Sequence, residues 1–213
     1  MEQIHFSTNH RLYSIPGSKF NQGLVSDGLT ADFRHAIIEI MKISKLTLLV
    51  GVYIVVSASF AQQLFTAANK LFGRPVLTNL LGIVFLTSAS VLIYKGIHLK
   101  IGILRCLLLT ATCIAAFSFA WKQPYMAEKT HILEYGLLAW LVMRDLVKTK
   151  TPVIKSVLIA FVFTALVGVL DEGFQKLLPW RVCEIRDMVT NAISGALGIA
   201  VFCAGTKLKP NLN

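Results

Sequence analysis

Long apolar runs without a charged side chain recur along this chain of 213 residues. Residues 46–68, 76–94 and 156–170 contain no Asp, Glu, Lys or Arg. A helix of about 20 mostly apolar residues is long enough to cross the hydrocarbon core of a bilayer. Charged residues make up only 15% of the chain, whereas about a quarter is usual in soluble proteins. The sequence therefore predicts an all-α, polytopic bundle of transmembrane helices.

The apolar runs divide the chain into three regions. The predicted transmembrane domain is 46–206, preceded by a cytoplasmic tail with an interfacial helix (1–45) and followed by a short cytoplasmic tail (207–213). From Asp32 to Lys45, apolar and charged residues recur on opposite helical faces, which is typical of an amphipathic helix at a membrane interface. Six spans are predicted, of which the fourth is the least apolar: 46–68, 76–94, 101–121, 130–147, 152–178 and 187–206.

The basic residues predict the orientation of these spans. Lysine and arginine are favoured in cytoplasmic loops. With six spans and a cytoplasmic N-terminus, about two-thirds of the 21 lysine and arginine residues lie on the cytoplasmic side. Both termini are therefore expected there. These loops account for the net charge of +10, and aromatic residues do not interleave with a basic patch, so nucleic-acid binding is not expected.

Ionisable and amide side chains are concentrated near residue 131 and between residues 171 and 191. Such groups are costly at membrane depth and mark functional sites by default. In the six-span topology they all fall at the outer ends of spans four, five and six, so an outward-facing pocket is expected. The candidates for acid–base catalysis are His131, Glu134, Asp171, Glu172 and Asp187. The candidates for substrate binding are Tyr135, Gln175, Arg181 and Asn191.

Helical spacing and side-chain chemistry support these choices. His131 and Glu134 are three residues apart and share a helix face. Imidazole gains or loses a proton near neutral pH, which suits a general base. In the adjacent pair Asp171 and Glu172, burial and repulsion favour protonation of one carboxyl group, so the two could divide acid and base roles. Arg181 has the planar fork that suits phosphate or carboxylate.

Each of these groups also has a purely structural interpretation. His131 could be a hydrogen-bonded histidine at the membrane interface. The pair Asp171 and Glu172 could be carboxylates at a helix end that Arg181 or Arg186 neutralises. The two amide side chains are expected to orient their neighbours, and the glycines of the last span to allow close helix packing.

A divalent metal ion is a further alternative for the carboxylates. His131, Glu134, Asp171 and Asp187 are side chains that such ions accept as ligands. However, the sequence has no H-E-x-x-H or similar ligand spacing, and no glycine loop for phosphate. The four cysteines form no C-x-x-C pair. The sequence therefore predicts no cofactor, with a metal ion kept as the alternative.

The order and spacing of these polar residues resemble the VanZ-like family of bacterial membrane proteins. The resemblance covers about residues 75–205 and leaves the first 45 residues uncovered. The family is named for a protein of glycopeptide-resistance clusters that gives low-level teicoplanin resistance. The resemblance implies a multi-pass protein of the bacterial cytoplasmic (inner) membrane that acts in the cell envelope, with a role in antibiotic resistance. Three motifs carry it: His131-x-x-Glu134-Tyr135, Asp171-Glu172-x-x-Gln175-x-x-x-Pro179-x-Arg181 and Asp187-x-x-x-Asn191.

Several positions depart from the family pattern. Trp180 stands where the family often has Gly. Glu184 lies near a position at which the family has a small residue. Ile132 follows the histidine in place of a common Phe. Asn191-x-x-Ser194 replaces the usual Asn-x-x-Gly. The chain has the core ionisable residues of the family pattern. The departures therefore concern the loop after span five, whose shape or ligand is expected to differ.

The leading functional hypothesis is an envelope protein whose outward pocket binds a polar or anionic headgroup and could modify it. Candidate ligands are a lipid-linked cell-wall precursor, an undecaprenyl carrier and a phospholipid. One alternative is a proton-coupled transporter or flippase component. The polar residues cluster near one face without paired broken helices, which disfavours transport. The other is a non-catalytic interaction protein with a structural polar network. Whether the chain is an enzyme, and its oligomeric state, are left open.

Overall fold

Six α-helices follow one another in the residues that the computed structural model describes, 38, 42–179 and 184–208. They are α1 (Lys45–Phe72), α2 (Arg74–His98), α3 (Ile103–Lys122), α4 (Met126–Lys148), α5 (Val153–Gln175) and α6 (Ile185–Gly205). No strand occurs in these residues, which confirms the all-α prediction. The predicted interfacial helix lies almost entirely outside the described residues, as does most of the C-terminal tail.

Five of the helices, α1, α2, α3, α5 and α6, are long and apolar enough to cross a membrane. Large apolar side chains stay exposed along them, among them Leu49, Ile83 and Leu158. Such exposure is expected where acyl chains rather than water surround a helix. The chain is therefore a multi-pass membrane protein. Helix α4 has a similar length, 23 residues, but charged residues near both of its ends lower its hydropathy.

Helix α4 lies at the centre of the bundle. Twelve of its residues are buried, and it packs most extensively against α6, with further contacts to α5 and α1. Near its middle, Tyr135 and Leu138 pack with Ile54 of α1 and Val167 of α5. Polar residues of membrane helices almost always face a bundle interior. Its central position therefore explains why α4 can carry several buried charged residues.

Glycines allow the close approach of α6 to its neighbours. A Cβ atom at Gly198 would overlap the backbone carbonyl of Gly136 in α4, so this crossing admits only glycine. One turn earlier, a Cβ at Gly195 would lie 2.8 Å from Cγ2 of Thr164 in α5. The prediction that small residues in this span let the helices pack closely is confirmed.

A buried carboxylate of α4 holds the N-terminus of α1. Asp145 Oδ2 accepts hydrogen bonds from the backbone N–H of Ser44 at 3.0 Å and from the hydroxyl of Thr47 at 2.6 Å. Arg144 donates to Asp145 Oδ1 at 2.8 Å. A negative charge at a helix N-terminus interacts favourably with the helix dipole and satisfies an N–H that the helix leaves free. Asp145 lies at the opposite end of α4 from His131, and sequence reasoning missed it.

Several helix ends differ from the ends of the predicted spans, among them the end of α5 and the start of α4. Helix α5 ends at Gln175, three residues before the predicted end at Leu178. The N–H groups of Leu177 and Leu178 bond to carbonyls three residues back, at 3.0 Å each, so the chain tightens into turns before Pro179 restricts its backbone. Helix α4 begins at Met126 rather than at residue 130, since the residues before 130 include good helix formers.

Replacing Gly198 with alanine should force α4 and α6 apart. The added methyl group would overlap the backbone of Gly136, and overpacking of this kind costs about 1–3 kcal/mol or more. Thermal unfolding in detergent measures the loss. Gly173→Ala is the matched control, because no atom of the described residues lies within 4 Å of a Cβ at that position. Equal stability of the two variants would contradict the role of Gly198.

Replacing Thr47 with valine should loosen the contact between α1 and α4. The change keeps the shape of the side chain but removes a hydrogen bond to the Asp145 carboxylate, which is worth about 1.5–3 kcal/mol. Thr66→Val on the same helix is the control, since its exposed hydroxyl bonds only to its own helix, at Gln62. Unfolding of both variants by denaturant in micelles gives the comparison, and a control as unstable as Thr47→Val would rule out the expected effect.

Candidate functional site

Ionisable and amide side chains from three helices meet at the end of the bundle where α4 and α6 begin and α5 ends. Eight of the nine residues predicted for the site lie here, and the ninth, Arg181, lies outside the described residues. We call the eight the polar cluster. Its members are His131, Glu134 and Tyr135 of α4, Asp171, Glu172 and Gln175 of α5, and Asp187 and Asn191 of α6.

Hydrogen bonds connect the three helices within the polar cluster. His131 Nδ1 lies 3.0 Å from Oδ1 of Asn191, which joins α4 to α6. One turn further along α4, the hydroxyl of Tyr135 donates to Oδ2 of Asp171 at 2.8 Å, which joins α4 to α5. The shared helix faces expected from residue spacing are therefore turned towards one another.

Glu172 connects the end of α5 to the start of α6. Its Oε2 accepts from the backbone N–H of Glu184 at 3.4 Å, and its Oε1 accepts from the side-chain amide of Gln175 at 3.4 Å. Glu184 is the residue immediately before α6. The carboxylate thus joins the last turn of α5 to the residue before the first turn of α6.

Burial separates the polar cluster into two layers. Tyr135, Asp171, Glu172 and Asn191 are fully buried, and Gln175 is 1% exposed. His131, Glu134 and Asp187 are only partly buried. A molecule approaching from outside would therefore meet the partly exposed residues first. The buried residues, including the three that were predicted to bind substrate, are in a position to hold the exposed ones in place.

The charges of the polar cluster are unbalanced. It contains four carboxyl groups and one imidazole. Glu134 interacts electrostatically with His131 and Asp171, and Glu172 interacts with Asp187 and Asp171. Carboxylates at such short range repel one another unless a proton or a positively charged group is shared among them. The arrangement can therefore accept protons or contact hydrogen-bond donors of a ligand.

Glu128 is a neighbour of the polar cluster that sequence reasoning missed. It is 8% exposed, and its Oε1 accepts from Arg186 at 2.5 Å. Arg186 also lies 3.4 Å from Glu184 and 3.5 Å from Asp187. These ion pairs differ from the expected alternative, in which Arg186 neutralises the carboxylate pair of α5. Glu128 lies three residues before His131 on the same helix face, a spacing that could have drawn attention to it.

Lys129 is a second buried charge that sequence reasoning missed. Its Nζ donates to the carbonyls of Ala120 at 3.3 Å and Trp121 at 3.2 Å, and it lies 5.2 Å from the centre of the Trp121 ring. A cation at the C-terminus of α3 satisfies carbonyls that the helix leaves free. Lys129 therefore stabilises the junction of α3 and α4, and no sequence motif marks it.

The arrangement does not form a recognisable metal centre. Among the described residues, no three His, Cys, Asp or Glu side chains are placed so that they could hold a metal ion. The carboxylates of the polar cluster instead bond to a tyrosine hydroxyl, an amide and a backbone N–H. These contacts are suited to proton transfer and hydrogen bonding.

Comparison of the chain with protein-family models, with curated proteins and with solved structures gives no match. The VanZ-like family is therefore a hypothesis that rests on the three motifs in the sequence.

Proposed function

We propose that all six helices cross the membrane and that both termini face the cytoplasm. At 23 residues, α4 is about 34 Å long, enough for the hydrocarbon core. Its first turn lies near the start of α2, since Arg74 donates to the carbonyl of Pro124 at 3.0 Å. Its last turns contact the start of α1 through Asp145. These contacts support a full crossing by α4, with its polar residues shielded from lipid by the other helices.

Cysteine labelling on either side of α4 tests this topology. In a cysteine-free background, an impermeant maleimide should label Lys122→Cys in intact cells, whereas Lys150→Cys should react only after permeabilisation. Both positions are exposed, so accessibility within the protein is matched. Labelling of both from the same side would contradict a crossing by α4.

We propose further that the chain is a VanZ-like protein of the bacterial inner membrane with a role in the cell envelope and in glycopeptide (teicoplanin) resistance. Its polar cluster would form part of an outward-facing pocket for the polar headgroup of a membrane lipid or a lipid-linked cell-wall precursor. The observation that carries the proposal is the pair of interhelical hydrogen bonds, His131 to Asn191 and Tyr135 to Asp171. They hold rare ionisable groups in one place at one end of the bundle.

The side chains of the polar cluster determine which chemical groups of a headgroup could bind there. Carboxylate oxygens and a free imidazole nitrogen accept hydrogen bonds, so they suit the hydroxyl, amide or ammonium groups of a sugar or peptide headgroup. A phosphate or carboxylate of the same ligand would need a cation, and we assign that contact to Arg181 on the basis of its side-chain chemistry. A lipid-linked precursor combines both kinds of group.

The inner half of the bundle favours binding over transport. Between the polar cluster and Asp145, the centre of the bundle is mainly apolar and includes Val142, Ala160 and Phe202. Its buried polar side chains there carry hydroxyl groups, as in Thr164 and Ser156. A proton relay needs ionisable groups or water along the whole path. The apolar layer therefore supports a site that opens on one side of the membrane.

Single substitutions in the polar cluster test the proposed function. His131→Ala, Glu134→Gln, Asp171→Asn and Asp187→Asn should each return teicoplanin susceptibility, or another envelope phenotype, to that of a deletion strain. Loss of one charged partner from a buried polar contact costs roughly 2–5 kcal/mol, or a binding loss of at least about tenfold. His98→Ala, at an exposed histidine of α2, is the control. If all four variants reach normal membrane levels and keep the wild-type phenotype, the pocket has no role in this function.

A further inference from the structure

The hydrogen bond between His131 and Asn191 bears on which nitrogen of the imidazole ring carries the proton. Nδ1 of the ring lies 3.0 Å from Oδ1 of the amide. In this orientation the amide leaves its own Nδ2 without a hydrogen-bond partner among the described residues. Its carbonyl oxygen accepts hydrogen bonds but cannot donate them, so the arrangement assigns the ring proton to Nδ1. A neutral imidazole has only one N–H, which leaves Nε2 with a lone pair. Within the described part of the chain, Nε2 has no hydrogen-bond partner.

Packing against α5 restricts the Asn191 side chain. The side chain is fully buried and packs against α5 at Gly168. A Cβ atom at Gly168 would lie 3.1 Å from Cβ of Asn191 and 3.6 Å from its Nδ2. The absence of a side chain at Gly168 therefore provides the space that the amide occupies, and α5 blocks its movement in that direction.

The His131 ring is also restrained on its other side. It lies beside the Tyr135 ring, with the two centroids 5.7 Å apart and the planes inclined by 46°. Tyr135 is in turn held by its hydrogen bond to Asp171. The imidazole thus has a defined position, although the residue is only partly buried.

Carboxylates of the polar cluster surround the His131 ring. Both Glu134 and Glu172 interact electrostatically with it. A proton passing from an O–H or ammonium N–H of a bound headgroup to Nε2 gives a ring with two N–H groups. The donor O–H is left as an oxyanion, or the ammonium group as a neutral amine, and the bond from Nδ1 to Asn191 stays unchanged.

We infer that Asn191 is a positioning residue that keeps the His131 proton on Nδ1, so that Nε2 is the proton acceptor of the polar cluster. The inference rests on the proposed function, because it names the group that would take a proton from a bound headgroup. Asn191 would then determine which ring nitrogen of His131 carries the proton, an effect that a merely structural contact between α4 and α6 would not have.

The tautomer of His131 in the unaltered protein tests the inference directly. The chain has five histidines, and ¹⁵N labelling of histidine alone gives a spectrum in which His131 is identified by the signals lost in His131→Gln. At about pH 8, above the ordinary titration range of imidazole, we expect a protonated Nδ1 and an unprotonated Nε2. A proton on Nε2 instead, or on both nitrogens, would overturn the inference.

Two substitutions at Asn191 separate positioning from packing. Asn191→Leu keeps a similar volume but removes the acceptor, so the ring should lose its fixed Nδ1–H signal. Asn191→Asp keeps an acceptor oxygen and should retain that signal. The exposed His98 should show the same spectrum in all variants. An unchanged His131 tautomer in Asn191→Leu would contradict the assigned role.

The envelope phenotype of the same strains distinguishes this inference from the proposed function. If the tautomer is as expected and Asn191→Asp keeps the phenotype that Asn191→Leu loses, both are supported. If the proton is on Nε2 while the variants of the polar cluster still lose the phenotype, the inference is wrong and the proposed function stands. If no variant of the cluster changes the phenotype, the proposed function is wrong, and so is the role of Nε2 as its proton acceptor.

Discussion

Carboxyl groups cannot face the acyl chains of a membrane without a large cost, and this constraint determines how the bundle is arranged. The chain places ionisable residues in α4, at the end of α5 and at the start of α6. All three stretches bury these residues against one another, while α1, α2 and α3 present apolar faces outward. The most polar helix therefore becomes the most buried one.

Close packing of α4 and α6 follows from the same constraint. A hydrogen bond as short as the one between His131 and Asn191 needs the two helices to be near each other. Gly136 and Gly198 allow this approach further along the same interface, because neither has a side chain to hold the backbones apart. At the opposite end of α4, Asp145 binds the N-terminus of α1. Helix α4 is thus anchored by polar contacts at both ends and by apolar packing between them.

The layering of the polar cluster connects this arrangement to function. Fully buried residues such as Tyr135 and Asn191 bond to partners on other helices, and partly exposed residues such as His131 lie above them. Ionisable groups held in this way keep one geometry. Binding of a headgroup would then cost little conformational entropy, because these side chains are already ordered. Mainly apolar packing between the polar cluster and Asp145 separates the two ends of α4.

The sequence by itself determined the helical class, the six segments and the eight described residues that meet in the polar cluster. Apolar run length and the three- or four-residue spacing of polar side chains are local properties, so they can be read without a fold. Only the tertiary structure showed that α4 is central, that Glu128 pairs with Arg186 and that Asp145 caps α1. These contacts join residues far apart in the chain, and a lone charge gives no sign of its partner. The end of α5 at Gln175 was also beyond the sequence, because a helix terminus depends on turns that form only when its neighbours are in place.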